Sequence, residues 1–286
     1  MKNKTFFVVG MPASGKTSYI TRLCIQLTSM KENTAYRLEG MELPGGLEFI
    51  TDSIQAMNKY KEIARTLDNS FYNLVLPLIS QNDDELALRI PDLSGEHYRK
   101  LIENRAISKK LYNELQQADQ ILFFINIDTM EKEERMKLGE ATVAKIFHDD
   151  RKIGKNEEDE ETRAKEKATQ SQITDLLQII MAFVKGQLNI KFVISAWDSM
   201  EIKYNNSNLT PEKCMQTELP LFYQFIICNA DKINYQFFGV SAQGMSYIDQ
   251  SIVDELLEEN VDLDEKACIV MPNGEKFQDM SMLFCE

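Results

Sequence analysis

Histidine, cysteine and tryptophan are scarce in this chain, which has two, five and one of them among 286 residues. With only His97 and His148, no histidine-rich metal site can form. The five cysteines are scattered and make no C-x-x-C pair, which argues against both a zinc site and a disulfide framework. We therefore expect a reducing, cytoplasmic location.

The chain also lacks a long apolar run and an excess of positive charge. No segment approaches the roughly 20 apolar residues of a membrane-spanning helix, so we expect no membrane span. Lys and Arg number 32 against 45 Asp and Glu, and the formal net charge is -13. This balance argues against direct nucleic-acid binding and against attraction to an anionic membrane surface.

The remaining composition, 43% hydrophobic over 286 residues, is sufficient for one large domain. Short apolar runs alternate with helical patterns, which predicts an α/β fold with a mostly parallel central sheet flanked by helices. We expect strands over 5–9, 72–79, 85–90, 121–127, 191–195 and 235–240. We expect helices over 16–29, 47–66, 96–117, 173–185, 218–228 and 247–258.

We expect residues 1–286 to form a single domain with two additions. Residues 131–170 are dense in charges of both signs and poor in large apolar side chains, which indicates an exposed, partly disordered or solvated helical insertion. Residues 262–286 are expected to form a C-terminal hairpin extension, with paired segments over 267–270 and 280–284 around the turn "PNGE".

A complete phosphate-binding motif lies between the first predicted strand and the first predicted helix. The letters "GMPASGKT", from position 10 to position 17, match G-x-x-x-x-G-K-[ST]. Glycines at such a turn let successive N–H groups point at phosphate oxygens, while the lysine neutralises the outer phosphates and the threonine coordinates magnesium. We therefore expect nucleotide contacts at Pro12, Ala13, Ser14, Gly15, Lys16, Thr17 and Ser18.

A second motif, "DLSGE", follows the predicted strand at 85–90. Asp92 stands where a carboxylate can hold magnesium through water. The N–H of Gly95 can bond to the γ-phosphate and so detect whether it is present. D-x-x-G is weak evidence alone and gains its meaning from the phosphate motif before it.

Two further motifs follow the strands at 191–195 and 235–240. In "ISAWDSM", Asp198 can accept hydrogen bonds from N1–H and the exocyclic amine of guanine, a donor pair that adenine lacks. In "GVSAQG", the N–H of Ala242 can contact the guanine carbonyl, and Ser241 can brace the turn. Together they predict a preference for guanine.

In this order the motifs resemble those of the P-loop GTPases of the translation-factor-related clade, most closely the bacterial double-GTPase type domains found near conflict and defence operons. The resemblance covers about residues 5–258. It implies GTP or GDP with Mg²⁺, hydrolysis of GTP, and a change of shape that a protein effector or activator reads. It further implies a role in bacterial defence, including antiviral defence.

The sequence departs from this family's pattern in two places. Ser195 and Ala196 replace the Asn and Lys of N-K-x-D, so we expect Trp197 to give the base its apolar cover. Glu96 stands where many members carry Gln; a carboxylate can bond to the attacking water but repels the γ-phosphate, so hydrolysis should be slow. Lys16, Gly95 and Glu96 are accordingly the expected catalytic residues.

The resemblance also implies a switch threonine that binds magnesium in the triphosphate state. Thr51 and Thr66 both lie between the first helix and the following strand. We favour Thr66 because it is closer to that strand.

Two other functions stay open on the sequence. A non-hydrolysing GTP-bound scaffold agrees with Glu96 and with the altered guanine motif. A P-loop ATPase or small-molecule kinase shares the phosphate loop, although the arginines are dispersed and form no compact lid. A homodimer whose partner copy supplies an arginine is likewise left open.

Overall fold

The computed structural model describes residues 4–29, 34–39, 48–63, 73–91, 101–130, 169–184, 186–205, 208–247, 250–258 and 264–285. Nine strands in these ranges form one sheet. They are β1 Lys4–Gly10, β2 Tyr36–Leu38, β3 Asn73–Ser80, β4 Glu85–Pro91, β5 Gln120–Ile125, β6 Leu188–Ser195, β7 Ile233–Ser241, β8 Cys268–Val270 and β9 Lys276–Phe277.

The sheet has the order β2-β3-β4-β1-β5-β6-β7-β8-β9. The central strands β4, β1, β5, β6 and β7 pair in parallel, as the sequence predicted. The two pairs at each edge are antiparallel, so the sheet is mixed where a mostly parallel one was expected. The α/β class is confirmed.

Helices connect and cover the strands. They are α1 Lys16–Ser29, α2 Glu48–Asn58, α3 Lys109–Gln116, α4 Gln170–Phe183, α5 Trp197–Lys203, α6 Pro211–Glu218, α7 Pro220–Cys228 and α8 Gln250–Glu258. Short 3₁₀ turns lie at Ile127–Thr129, Asp264–Lys266 and Met280–Phe284. The bounds of α1 equal those predicted. The charged insertion lies outside the described residues, except for its last two positions, where α4 begins.

The helix predicted over 47–66 ends early, at Asn58. Tyr60 takes a left-handed conformation with φ of 50°. The N–H of Lys61 then reaches back 2.9 Å to the carbonyl of Ala56, which is the bond pattern of a Schellman C-cap. Tyrosine in this conformation gives no sequence signal, because glycine is the usual residue there.

The helix predicted over 96–117 is interrupted. Residues 101–104 are helical, Arg105 turns left-handed at φ 47°, and α3 begins only after Ser108. The Ser108 hydroxyl accepts a hydrogen bond from the N–H of Leu111 at 3.2 Å and caps the new helix. Residues 92–100 lie outside the described part of the chain.

The helix predicted over 218–228 corresponds to α7, and a separate helix that was not predicted, α6, ends directly before it at Glu218. Leu219 precedes Pro220 and has φ of -127°, a non-helical conformation that a following proline favours. Thr210 caps α6 and Pro211 occupies its first turn. This Thr-Pro pair is an N-terminal helix signal that the sequence analysis missed, as it missed α5.

The C-terminal hairpin pairs different residues from those expected. β8 pairs with β9 around the "PNGE" turn. Residues 280–284, expected as the second strand, instead form a 3₁₀ turn. Asp279 accounts for the difference, because its carboxylate accepts the N–H of Ser281 at 2.8 Å and favours a helical turn over an extended chain.

Both faces of the central strands are buried. Phe123 and Phe192 point to the face covered by α3, α4, α6 and α7, while Phe124 and Val193 point to the face covered by α1 and the last residues of the chain. All four side chains are 0% exposed. A strand buried on both sides needs the continuous apolar run that the sequence shows.

The turn Met280–Phe284 completes the second core face. The Tyr19 hydroxyl donates to the Met280 carbonyl at 3.0 Å. The ring of Phe284 lies 5.3 Å from that of Phe6 and 5.7 Å from that of Tyr36, centroid to centroid. The end of the described chain is thus part of the hydrophobic core.

We predict that Phe284→Ala destabilises the protein by about 3–5 kcal/mol, because a buried aromatic ring is lost from a closed core. Leu221→Ala, which truncates a 63% exposed side chain, should change the free energy of unfolding by less than about 0.5 kcal/mol. Urea unfolding followed by the fluorescence of Trp197, on the other face of the sheet, measures both. An unchanged midpoint for Phe284→Ala would show that the C-terminal turn is not part of the cooperative unit.

Candidate functional site

Five parallel strands end at one edge of the sheet, and residues singled out in the sequence follow four of them, β1, β4, β6 and β7. Gly10 at the end of β1 is level with Phe124 of β5, and Ser195 at the end of β6 is level with Val240 of β7. Parallel strands present their carboxyl ends together, and ligands of open α/β sheets bind at such an edge.

The phosphate loop between β1 and α1 has the tight conformation that its glycines allow. Gly15 has φ of 86°, and a Cβ placed on it would lie 2.5 Å from the Ser195 hydroxyl. A Cβ on Gly10 would lie 2.5 Å from the Phe124 carbonyl oxygen. No larger residue fits at either position without displacing a neighbouring strand.

Lys16 places its ammonium group inside the loop. Its Nζ donates to the carbonyl oxygens of Gly10 at 2.7 Å and Met11 at 2.8 Å, and to the Ser14 hydroxyl at 3.0 Å. The first turn of α1 contains no acidic residue. An ammonium and a helix N-terminus together make this loop an electropositive cradle suited to an anion.

The other predicted loop residues lie around this cradle. Ser14 is buried, Thr17 and Ser18 are half-buried in the first turn of α1, and Pro12 and Ala13 are exposed. The hydroxyl of Thr17 is a hard oxygen donor of the type that Mg²⁺ accepts.

Asp198 and Ser241, predicted from different motifs, are in direct contact. The Ser241 hydroxyl donates to Asp198 Oδ1 at 2.7 Å and accepts the N–H of Gly244 at 3.2 Å. Burial raises the pKa of the Asp198 carboxyl above its ordinary value, and the bond from Ser241 opposes that shift. The contact fixes the carboxylate in one orientation at the sheet edge.

Ala242, next to Ser241, is in contact with α1, the helix that follows the phosphate loop. The Nε of Arg22, a buried side chain on α1, donates to the Ala242 carbonyl at 2.7 Å. The helix that begins at the phosphate loop therefore also fixes the turn after β7. Sequence reasoning gave Arg22 no role, because nothing in the local pattern shows a contact to a residue 220 positions away.

Ser195 joins the two halves of the site, which are the phosphate loop after β1 and the residues after β6 and β7. Its hydroxyl donates to the Ser14 carbonyl in the phosphate loop at 2.9 Å and lies 3.3 Å from the Ile125 carbonyl. In the sequence it was only a departure from N-K-x-D; in the structure its side chain ties the end of β6 to the phosphate loop.

Thr129 makes a second, longer contact to the phosphate loop. Its hydroxyl lies 3.5 Å from the Ala13 carbonyl and 3.1 Å from the Asn126 carbonyl. Sequence reasoning missed this residue as well. It follows β5, whose end lies beside the loop.

The expected cover of a base by Trp197 is not what the structure has. The indole is 1% exposed and packs on Gly239, where a Cβ would lie 2.5 Å from its Cδ2 atom. Its Nε1 donates to Glu201 at 2.7 Å. A ring buried on the sheet has no face left for a base, because β7 carries glycine at the point where the indole needs the space.

Four predicted residues lie outside the described part of the chain, namely Thr66, Asp92, Gly95 and Glu96. Thr51, the other threonine considered for magnesium, is exposed on α2. Within the described ranges, no group of three or more His, Cys, Asp and Glu side chains could hold a metal ion. Nor is any described helix both long and apolar enough to cross a membrane.

Comparison with solved structures finds similarity to GTPases. The bacterial selenocysteine-specific elongation factor EF-Sec is 12% identical with a TM-score of 0.35, over 92% of this chain and 30% of that one. The GTP-bound Ski7 GTPase-like domain of S. cerevisiae is 12% identical with a TM-score of 0.39, over 90% and 50%. The Arl6 small GTPase of Trypanosoma brucei is 10% identical with a TM-score of 0.38, over 91% and 97%.

The chain thus spans 30% and 50% of the length of the first two of these proteins. A search of curated protein sequences gave no significant match. The family model described as Double-GTPase 1 matches residues 7–283, nearly the whole chain. The chain belongs to the Double-GTPase 1 family, a family of GTP-binding proteins.

Proposed function

We propose that this protein is a slow, Mg²⁺-dependent GTPase that acts as a nucleotide-controlled switch. The observation that carries the proposal is the contact between the two halves of the site. Asp198 is fixed by Ser241 at the same sheet edge as the Lys16 cradle, and Ser195 links that edge to the Ser14 carbonyl. Such an arrangement suits a ligand with a base at one end and phosphates at the other.

The phosphate end is assigned to residues 12–18. Lys16, already directed into the loop, neutralises the β- and γ-phosphates, and the N–H groups at the start of α1 contact their oxygens. A Cβ on Gly15 would lie 2.5 Å from the Ser195 hydroxyl, so glycine at this position lets the loop close against the end of β6. Phosphate oxygens then compete with the Gly10 and Met11 carbonyls and the Ser14 hydroxyl for the Lys16 ammonium.

Mg²⁺ is assigned to Thr17, with Asp92 and Thr66 as the further ligands proposed from the sequence. Hydroxyl and carboxylate oxygens are the ligands that Mg²⁺ prefers, and the set leaves room for phosphate oxygens and water. When bound, Mg²⁺ neutralises negative charge on the phosphates. Thr17 fits this role because it is half-buried in the first turn of α1, directly after Lys16.

The base end is assigned to Asp198 and Ala242. An ionised Asp198 accepts two hydrogen bonds from guanine, through N1–H and the exocyclic amine, and the N–H of Ala242 donates to the guanine carbonyl. Ser241 already occupies one lone pair of Asp198 Oδ1, which fixes the carboxylate for this double contact. Ala196, the residue that replaces lysine, leaves one face of the base without a long side chain.

Hydrolysis is assigned to in-line attack of water on the γ-phosphate, with Gly95 contacting that phosphate and Glu96 contacting the water. The negative charge of Glu96 opposes the transition state, so the reaction is slow. Loss of the γ-phosphate then releases the segments around Thr66 and Glu96. A protein effector or activator recognises this change. We place the protein in the cytoplasm and in bacterial defence. The partner can also be a second copy of this chain.

Asp198→Ala should weaken GDP binding about 100-fold and leave ADP binding unchanged, because only guanine loses two charge-assisted hydrogen bonds. Asp198→Asn should move the preference to XDP, since the amide donates to the xanthine carbonyl at the position of the guanine amine. Calorimetry with GDP, XDP and ADP measures this, with the exposed Asp231→Asn as control. Wild-type protein that binds ADP as tightly as GDP would overturn the guanine assignment in favour of a P-loop ATPase or kinase.

Ser195→Ala should weaken GDP and ADP alike, by about fivefold, because it removes the hydrogen bond to the phosphate loop and leaves the base contacts in place. The same titrations separate it from Asp198→Ala, which affects guanine alone. Ser29→Ala, an exposed change at the far end of α1, is the matched control. An effect of Ser195→Ala on GDP only would contradict the bracing role.

Glu96→Gln should speed single-turnover conversion of GTP to GDP about tenfold, because it removes the charge that repels the γ-phosphate and keeps a hydrogen-bond acceptor for water. The exposed Glu103→Gln should leave the rate as in wild type. Chromatography of bound nucleotide over time gives the rates. If bound GTP persisted unchanged in the wild type and in Glu96→Gln, the protein would be the non-hydrolysing scaffold instead.

A further inference from the structure

The helix that carries Asp198, α5, depends on contacts with the rest of the fold for its stability. α5 has only seven residues, which is too short for a stable isolated helix. Ala196 at its start is left-handed, with φ of 51°, and makes no side-chain cap. The position of Asp198 in the first turn is therefore determined by what holds α5 to the sheet.

One carboxylate holds α5 from two sides. Glu201 Oε1 accepts the indole N–H of Trp197 at 2.7 Å and lies 2.7 Å from the Nζ of Lys276. Trp197 is buried on the sheet, whereas Lys276 comes from β9 of the C-terminal hairpin. Through Glu201, the hairpin is connected to the residue that directly precedes Asp198.

The register of the sheet explains how the hairpin reaches α5. Gly239 of β7 pairs with Val270 of β8, and Val270 pairs with Lys276 of β9. These three residues form one row across neighbouring strands. Trp197 packs at the first position of the row, on Gly239, and Glu201, one helical turn later, meets Lys276 at the third.

Lys276 is paired with one of the carboxylates that act on Asp198. Burial is the main cause of the raised pKa of Asp198, and the carboxylates of Asp128 and Glu201 add to it. The ammonium of Lys276 stands directly against one of those two carboxylates. With 52% of its side chain exposed, Lys276 can be changed with little effect on core packing.

We propose that Lys276 is a positioning residue for guanine recognition, which acts through Glu201 and Trp197 to hold Asp198 in place. This rests on the proposed function, because it assumes that Asp198 reads the base. The C-terminal hairpin then contributes to nucleotide selectivity although no hairpin residue is expected to touch the nucleotide.

The test is a double-mutant cycle in the full chain. Lys276→Met removes the charge and keeps the length of the side chain, while Glu201→Gln removes the opposite charge and keeps an acceptor for the indole N–H. Affinities for GDP and ADP are measured by calorimetry for wild type, both single variants and the double variant. Lys276→Arg tests rescue, and Lys266→Met, an exposed change in the same C-terminal segment, is the matched control.

Lys276→Met should lower the ratio of GDP to ADP affinity about fivefold, the size expected for a partly exposed ion pair. Glu201→Gln should lower it similarly, and Lys276→Met should add nothing in the Glu201→Gln background. Lys276→Arg and Lys266→Met should keep the wild-type ratio. A merely structural role would lower both affinities together or shift only the unfolding midpoint.

An unchanged ratio in Lys276→Met and Glu201→Gln would overturn the positioning role while the wild-type preference for GDP still supports the proposed function. Equal loss of GDP and ADP binding would overturn it in the same way. A wild-type protein without preference for GDP would overturn both, because Asp198 would then read no base.

Discussion

Parallel pairing of the five central strands is the constraint on which the rest of the structure depends. Because these strands run in one direction, the segments after β1, β6 and β7 leave the sheet at the same edge. Burial on both faces holds the strands in register. Only then can the Ser195 hydroxyl meet the Ser14 carbonyl and Asp198 meet Ser241, contacts that span 181 and 43 residues of sequence.

Small side chains at the ends of β5 and β6 make the contacts to the phosphate loop. Serine in place of asparagine at 195 still provides a hydroxyl that bonds to the phosphate loop, and it fits against Gly15, where little space is available. Thr129, after β5, provides a further contact to the loop through the Ala13 carbonyl. Trp197 was expected to cover a base. Instead its indole packs on Gly239 of β7 and anchors α5, the helix that carries Asp198, to the sheet.

The C-terminal residues do more than extend the sheet. The side-chain amide of Gln26 on α1 donates to the Gln278 carbonyl at 2.8 Å, and its oxygen accepts the Met280 N–H at the same distance. The buried Lys191 donates to the Leu283 carbonyl at 3.1 Å, which compensates the cost of placing an ammonium in the core. These bonds join the end of the described chain to the helix of the phosphate loop and to β6, so the segment expected as an appended hairpin is integral to both.

The sequence by itself determined the elements whose signal is local. The phosphate motif, the bounds of α1 and the buried strands could be predicted, because each depends on residues close together in the chain and on burial of a continuous apolar run. The early end of α2, the break at Arg105 and the turn after Asp279 escaped prediction, since they depend on conformations that those residues rarely adopt or on a single side-chain cap. Tertiary structure alone decided which polar residues brace the site. Arg22 and Lys276 belong to no motif, and Ser195 stood in the sequence only as a departure from one. Their contacts arise because the strands and the hairpin bring distant carbonyls and carboxylates within hydrogen-bond distance.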